Sequence, residues 1–295
     1  MAAPNTKTEQ DMGMMPSAAT LQRVSAQSAH RPTCRFCGTG LEHVFADLGM
    51  SPMANAYRSA EQQNRMEPFY PLRAYVCGNC MLVQLEEFET PEQIFGTDYA
   101  YFSSYSSSWV EHARRYVEMA TGRFGLDSSS RVVEIASNDG YLLQHFTARK
   151  IPVLGVEPAG NVAAAALNRG IPTEIAFFGR ATAERIAADH GQADLLIGNN
   201  VLAHVPDLND FVAGLKHLLA SDGVITMEFP HLQRLMAENQ FDTIYHEHFS
   251  YFSFVCVEQV FARHGLTLFD VEQLPTHGGS LRIFARHADA REPAV

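Results

Sequence analysis

The sequence predicts an α/β protein: a doubly wound sheet with a final antiparallel hairpin strand, preceded by a small zinc-binding domain. Three observations carry this expectation. From Arg131 onward, apolar strand-length runs alternate with helical patterns, which is the mark of a parallel sheet covered on both faces. The alternation ends in two strand patterns joined by the glycine turn "PTHGG", a spacing that suits a hairpin and reverses the last strand. Upstream, four of the five cysteines fall into two Cys-x-x-Cys pairs.

Taken in order, residues 1–30 read as a disordered tail, polar and without the basic start and apolar stretch of a signal peptide. Residues 31–95 form the zinc-binding domain. Cys34 and Cys37 in "CRFC" and Cys77 and Cys80 in "CGNC" lie in turn-like sequence beside Gly38 and Gly78. Two such knuckles can surround one tetrahedral zinc with four thiolates, a closed shell that serves folding and leaves no position for chemistry. Without a secretion signal, disulfides are disfavoured. Cys256 stands alone and reads as a small buried apolar residue. Short strand-like pieces, "RAYV" and "MLVQLEEF", belong to this unit. Residues 96–130 are a Tyr- and Ser-rich connector, "GTDYAYFSSYSSSW", followed by a helix from about Trp109 to Thr121.

Residues 131–290 hold the alternating part. "RVVEIA", "VLGVE", "TEIAFF", "ADLLIGNN" and "GVITMEFP" read as strands; "YLLQHFTARK", "NVAAAALNRG", "ATAERIAADHG" and "LNDFVAGLKHLLA" read as the helices between them. "VEQVFARHG" is one more helix, before the hairpin strands "LTLFDVEQL" and "SLRIFARH". A formal net charge of −11 and the lack of any Lys/Arg run argue against a nucleic-acid partner, which would need phosphate-neutralising cations. No apolar run approaches the ~18 residues of a bilayer span. The expectation is a cytoplasmic protein acting on a small molecule.

Ligands of open α/β sheets bind at the carboxyl ends of the strands. The first strand ends in "EIASNDGY", where Asn138, Asp139 and Gly140 make a tight turn. A dinucleotide enzyme would carry Gly-x-Gly-x-x-Gly there to seat phosphates. A loop with Ser137, Asn138, a carboxylate and one glycine suits a ligand with positive charge and no pyrophosphate, which describes S-adenosylmethionine (SAM). A strand–helix turn holding no ligand is the competing reading. Glu157, ending the second strand, is placed to hold ribose hydroxyls. The candidate cofactor contacts are Glu134, Ala136, Ser137, Asn138, Gly140, Glu157, Phe177, Phe178, Asn199 and Asn200.

The cysteine pairs, "VEIASNDGYLL", "GVEPA", "NNVLAHVPD" and "YHEHFSYFS" stand in one order from about Thr33 to His287. Together they resemble the zinc-containing, SAM-dependent sugar C-methyltransferases, which act on nucleotide-linked keto-deoxysugars. The resemblance implies a class I SAM methyltransferase fold, SAM as methyl donor, and methylation of a carbon beside a ketone. Such a reaction needs a base to remove the proton next to the ketone and donors for the enolate oxygen. Matched to the family's Tyr-x-Glu-His pattern, His248 would be the base, Glu247 its partner or a contact to the sugar, and Tyr245 a donor; His246 fills the variable slot. His204 is implied as a substrate contact, and Tyr99 as the connector's active-site tyrosine, with Tyr101 and Tyr105 close rivals.

Other readings of this cluster are a second metal site at His246 and His248, or a solvated loop; His43, His112, His145, His217 and His264 are assigned to plain surface positions. Family members continue past the hairpin into a further α/β domain, whereas this sequence reaches Val295 shortly after "HGGSLRIFARH". The expectation that follows is a partner chain or homo-oligomer supplying substrate surface. Arg282 at that junction is a candidate contact for an anionic substrate, against a plain hairpin turn. SAM binding without turnover, O- or N-methylation, and a flavin or nicotinamide oxidoreductase are the alternative functions.

Overall fold

The computed structural model describes residues 32–96 and 99–290; the tail expected over 1–30 lies outside them. The chain first lays down β1 (His43–Ser51), β2 (Tyr70–Val76), β3 (Val83–Leu85) and the short helix α1 (Pro91–Ile94). After the connector come α2 (Ser107–Phe124), β4 (Val132–Ile135), α3 (Leu143–Thr147), β5 (Val153–Val156), α4 (Gly160–Asn168) and β6 (Thr173–Glu174). Next are α5 (Arg180–His190), β7 (Ala193–Asn199), α6 (Leu208–Leu218), β8 (Leu219–Pro230), α7 (Leu232–Glu238) and β9 (Ser250–Tyr251). The last elements are α8 (Phe254–Arg263), β10 (Leu266–Leu274) and β11 (Ser280–His287).

The larger sheet has seven strands in the order β10-β11-β8-β7-β4-β5-β6. The β4, β5, β6, β7 and β8 pairs are parallel, and β11 enters antiparallel between β8 and β10. Its central strands carry Val132, Val133, Leu195, Leu196 and Ile197, all fully buried, as strands covered on both faces must be. Helix ends are set locally: Ser106 Oγ accepts from Trp109 N at 3.3 Å and caps α2, and Gly125, with φ 62, ends it. Asp207 and Ser253 cap α6 and α8 in the same way.

The smaller sheet runs β1-β2-β3-β9 and is antiparallel throughout. Two of its strands have no counterpart in the sequence reading. β1 is an exposed edge without clean alternation, and β9 is two residues long and comes from far later in the chain, pairing Tyr251 with Val83. Two further differences bear on the cavity and its surroundings. The third strand expected over "TEIAFF" shrinks to Thr173–Glu174, so Phe177 and Phe178 sit on a loop. The helix expected over "YLLQHFTARK" forms only at Leu143–Thr147. No helix of the described residues is long and apolar enough to cross a membrane.

Candidate active site

The carboxyl ends of β4, β5 and β7 open into a cavity of about 450 Å3. Its sheet side is lined by Ala136, Asn138, Glu157, Asn199 and Asn200, and its far side by Tyr245, Glu247 and His248. Two earlier segments close it: Asn55 from the β1–β2 connection, and Tyr99 and Tyr101 from the connector. Of the eight described non-glycine residues with positive φ, five line this cavity: Asn55, Ala136, Asn138, Asn200 and His277. Left-handed backbone is disfavoured for L side chains and gathers where function holds it in place.

The loop after β4 divides between cavity and core. Ala136 and Asn138 line the cavity, whereas Glu134, Ser137 and Gly140, read from the sequence as cofactor contacts, lie behind its wall. Burial, with Glu157 nearby, holds the Glu134 carboxyl well above the usual carboxylate range. Ser137 packs against Gly155, and a Cβ on Gly140 (φ 78) would meet Ile171 Cγ1 at 2.9 Å. The Asn138 side chain ties down the connector, accepting from Ser103 N at 2.7 Å and donating to Tyr101 O at 3.2 Å. Asp139, expected to face a cationic ligand, instead pairs with Arg169 at 3.1 Å and accepts from Ser104.

Glu157 supplies the negative charge on this wall. Its oxygens accept from Asn138 N at 3.0 Å and Ala159 N at 2.9 Å, and burial pushes it up to about 7. Each oxygen keeps a second lone pair for a hydroxyl. Phe177 and Phe178 give an apolar side, the latter edge-on to Phe211 at 5.3 Å. The Oδ1 atoms of Asn199 and Asn200 are buried without a partner. This donor set fits SAM, which has a ribose diol, a flat base and no phosphate.

On the far side, His248 Nδ1 lies 2.8 Å from the Thr243 carbonyl oxygen. A carbonyl only accepts, so Nδ1 carries the proton and Nε2 of the neutral ring is an acceptor. Nε2 accepts from the Tyr245 hydroxyl at 2.9 Å. The expected Glu247–His248 partnership is therefore corrected: the Thr243 carbonyl orients the ring, and Glu247 Oε1 accepts from Asn55 Nδ2 at 2.8 Å. Burial lowers His248 to about 4. The His204 ring, 4.7 Å away in the turn after β7, is lowered to about 3 by burial and by His248. Its Nδ1 has no partner.

Phe95 packs edge-on to both Tyr99, at 5.4 Å, and His204, at 5.7 Å. Burial, then the charge of Glu247, holds the Tyr99 hydroxyl well above its ordinary value. Of its rivals, Tyr101 also lines the cavity and Tyr105 is exposed. His246 points elsewhere: its Nε2 donates to the Pro71 carbonyl at 3.2 Å, and its ring meets Tyr70 and Phe88 edge-on. It does not converge with His248 on a common metal position; among the described residues only the four cysteines do so.

Behind the cavity, Glu228 on β8 is fully buried among His112, Thr276 and Arg282, at 2.9, 2.9 and 2.8 Å. Arg282 also pairs with Glu272 at 2.9 Å and lies over the Tyr116 ring, so it is part of a buried ion pair and does not face a substrate. His112, expected at the surface, is stacked on Trp109 at 4.8 Å; His264, likewise, bonds Asn209 at 3.0 Å. Trp109, Tyr141, His277 and Asn55 line the cavity and escaped the sequence reading. The single tryptophan and the histidine in the glycine turn were available signals; Asn55 had none.

The sulfur ligand atoms of Cys34, Cys37, Cys77 and Cys80 all lie within 4.8 Å of one another. Gln84, buried, donates to Cys34 Sγ at 3.1 Å, and Asn79 N to Cys77 Sγ at 3.4 Å. Four thiolates this close need a cation between them, and this set fits Zn2+ in a closed, structural shell.

A seven-stranded sheet with one reversed strand, and a cavity with an acid for ribose but no glycine-rich phosphate cradle, define the class I SAM methyltransferase fold. Residues 34–95 match the family described as "Putative zinc binding domain", and residues 109–271 the family described as "Methyltransferase domain". The chain belongs to this methyltransferase-domain family. It is 39% identical over 257 residues to C-methyltransferase NovU of Streptomyces niveus, covering 87% of this chain and 61% of that protein. It thus spans about three-fifths of that relative's length. Among solved structures it is similar to the PH0226 protein of Pyrococcus horikoshii OT3, at 13% identity and TM-score 0.49, covering 68% of this chain and 99% of that one. It is also similar to a SAM-dependent methyltransferase of Clostridium acetobutylicum ATCC 824, at 9% identity and TM-score 0.48, covering 60% and 92%.

Proposed function

We propose that the chain transfers the methyl group of SAM to a carbon beside the ketone of a nucleotide-linked deoxysugar. The relative named as a C-methyltransferase supports this reading. The observation that carries it is the Tyr245–His248 pair, with Nδ1 fixed by a carbonyl and Nε2 left as acceptor. SAM, held by Glu157, Phe177, Phe178, Asn199, Asn200 and the backbone of Ala136 and Asn138, supplies an electrophilic methyl group when bound.

A carbon nucleophile must first lose its proton. In this reading the proton passes to the Tyr245 oxygen while the Tyr245 proton passes to His248 Nε2. One C–H and one O–H bond break; one O–H and one N–H bond form. The Thr243 carbonyl, bonded to Nδ1–H, favours the imidazolium that results. Tyr99, neutral near pH 7, donates to the developing enolate oxygen, and the neutral His204 ring contacts the sugar beside it. Glu247 contacts a sugar hydroxyl.

The cavity lining also bears on the substrate. No Lys or Arg is among the described lining residues, while Glu92, Glu157, Asp207, Asp210 and Glu247 are. A diphosphate would be repelled there, so the uncharged keto-sugar ring enters and the diphosphate stays outside. The division into 31–95, 96–130 and 131–290 belongs to this reading, with β9 reaching back into the smaller sheet.

The test is incubation with SAM and a panel of nucleotide-linked 4-keto-deoxysugars, with products read by mass and NMR. The expected product carries one added methyl on carbon. In deuterated water without SAM, the wild type should exchange the proton at that carbon. His248→Ala and Tyr245→Phe should lose about a hundredfold or more in both exchange and transfer. Methyl on oxygen or nitrogen, or SAM binding without product, would replace the proposal.

A further inference from the structure

We propose that Asn55 is a positioning residue for Glu247, carried across the cavity by the β1–β2 connection of the zinc-bound sheet. This rests on the reading of the site given above. Asn55 Nδ2 donates to Glu247 Oε1 at 2.8 Å across 192 residues of chain, and both residues line the cavity. Asn55 has φ 57, a backbone that asparagine tolerates better than other side chains. That turn is what aims its amide at the carboxylate.

The surroundings explain why a donor is needed there. Glu247 is only 2% exposed; its charge acts on the Tyr99 and Tyr245 hydroxyls, its backbone bonds the His204 ring, and His248 lines the same cavity. All four are neutral near pH 7, so Asn55 stands as the fixed donor to the carboxylate. The turn is clasped on both sides of Glu247. His246 bonds the Pro71 carbonyl on β2, and β9 pairs with β3. Cys34 and Cys37 precede β1 while Cys77 and Cys80 follow β2, so a metal there closes one end of the β1–β2 pair, and Asn55 stands at the other end, four residues after β1.

An amide N–H bonded to a carboxylate favours the ionised form, whereas burial opposes it. Burial already holds Glu247 above its ordinary value, with Asn55 pulling it down. Without Asn55 the burial effect is unopposed.

Two substitutions separate the amide from the backbone. Asn55→Gly keeps the left-handed turn and deletes only the side chain; Asn55→Asp keeps the shape and replaces the donor by a second carboxylate. The readout is a carbon-13 NMR titration of the Glu247 carboxyl in the zinc-loaded full chain, assigned by comparison with Glu247→Gln. Asn55→Gly should raise its pKa by about one unit or more, and Asn55→Asp further. The zinc content of Asn55→Gly should match the wild type, and its melting temperature at pH 7 should fall by no more than the ~3–6 °C that a one-unit rise of a buried carboxyl costs. The acid limb of kcat/KM should move upward by the same shift, with roughly a fivefold loss at the wild-type midpoint and about tenfold well below it. An unchanged Glu247 titration in both variants overturns the proposal, as does a shifted titration with an unmoved acid limb. If the wild type methylates no keto-sugar, the function reading fails while the carboxyl titration still decides for or against Asn55.

Discussion

Arg282→Met tests whether Arg282 belongs to the core or to the substrate. Arg282 is 5% exposed and Glu228 is fully buried, 2.8 Å from it. Removing one member of such a pair leaves an uncompensated charge and costs about 3–5 kcal/mol. At ~2–4 °C per kcal/mol for a domain of this size, melting should fall by roughly 6–20 °C. The pH dependence carries a sign. Burial pushes the Glu228 carboxyl up, but bonds from His112 and Thr276 and the charge of Arg282 together hold it below its ordinary value. In the wild type this stabilisation is present above the unfolded carboxylate value, near 4.5, and lost as pH falls through the lower folded value. Without Arg282 burial should raise the carboxyl, so the deficit of Arg282→Met should narrow on going from pH 7 to pH 5. Glu228→Gln/Arg282→Met, which removes both charges, should recover most of the loss at pH 7. Thermal melts followed by circular dichroism at the two pH values measure all of this. A single variant melting within about 1 °C of wild type, yet with weakened binding of an anionic substrate, would return Arg282 to the substrate.

Two further outcomes follow from burial and ligation. Cys77→Ser should lower bound zinc well below one per chain and open the smaller sheet to proteolysis, since a structural zinc shell contributes folding free energy directly; full zinc occupancy measured by elemental analysis would refute the four-thiolate site. His248 and His204 titrate at about 4 and 3 in the folded chain and near 6.5 when unfolded. The unfolded state then binds more protons between these values, so stability is fully present above pH 6.5 and falls as pH drops toward 4. The loss between pH 7 and 5 should be about 2 kcal/mol per ring; denaturant melts of wild type and His204→Asn that showed the same pH slope would contradict it.

The larger sheet was legible because its information is local. Each strand of "RVVEIA", "VLGVE" and "ADLLIGNN" is an apolar run of strand length, and the "PTHGG" turn announces the reversed partner. The cysteine spacing was equally local. What the sequence concealed depends on contacts between distant segments. Glu247 beside His248 in the chain suggested a pair, yet the backbone turn points the carboxylate at Asn55 and gives the imidazole to Thr243. Asp139 looked like a ligand group because it sits in the cofactor loop, but Arg169 claims it. His112 looked like one polar residue on a helix; only the fold brings it beside Glu228. Phe177 and Phe178 were read as strand, and they line the cavity because that strand stops at Glu174.

The two-residue strand β9 has a consequence for how the molecule assembles. The edge of β3 is covered only when Ser250 and Tyr251 arrive, after most of the larger sheet has left the ribosome. Until then the metal-binding segment exposes unpaired backbone of the kind that templates aggregation. Closing so long a chain loop is slow. An isolated N-terminal piece should therefore be a sticky intermediate, and the last strand to join the smaller sheet arrives on the same turn that brings Tyr245 and His248 to the cavity.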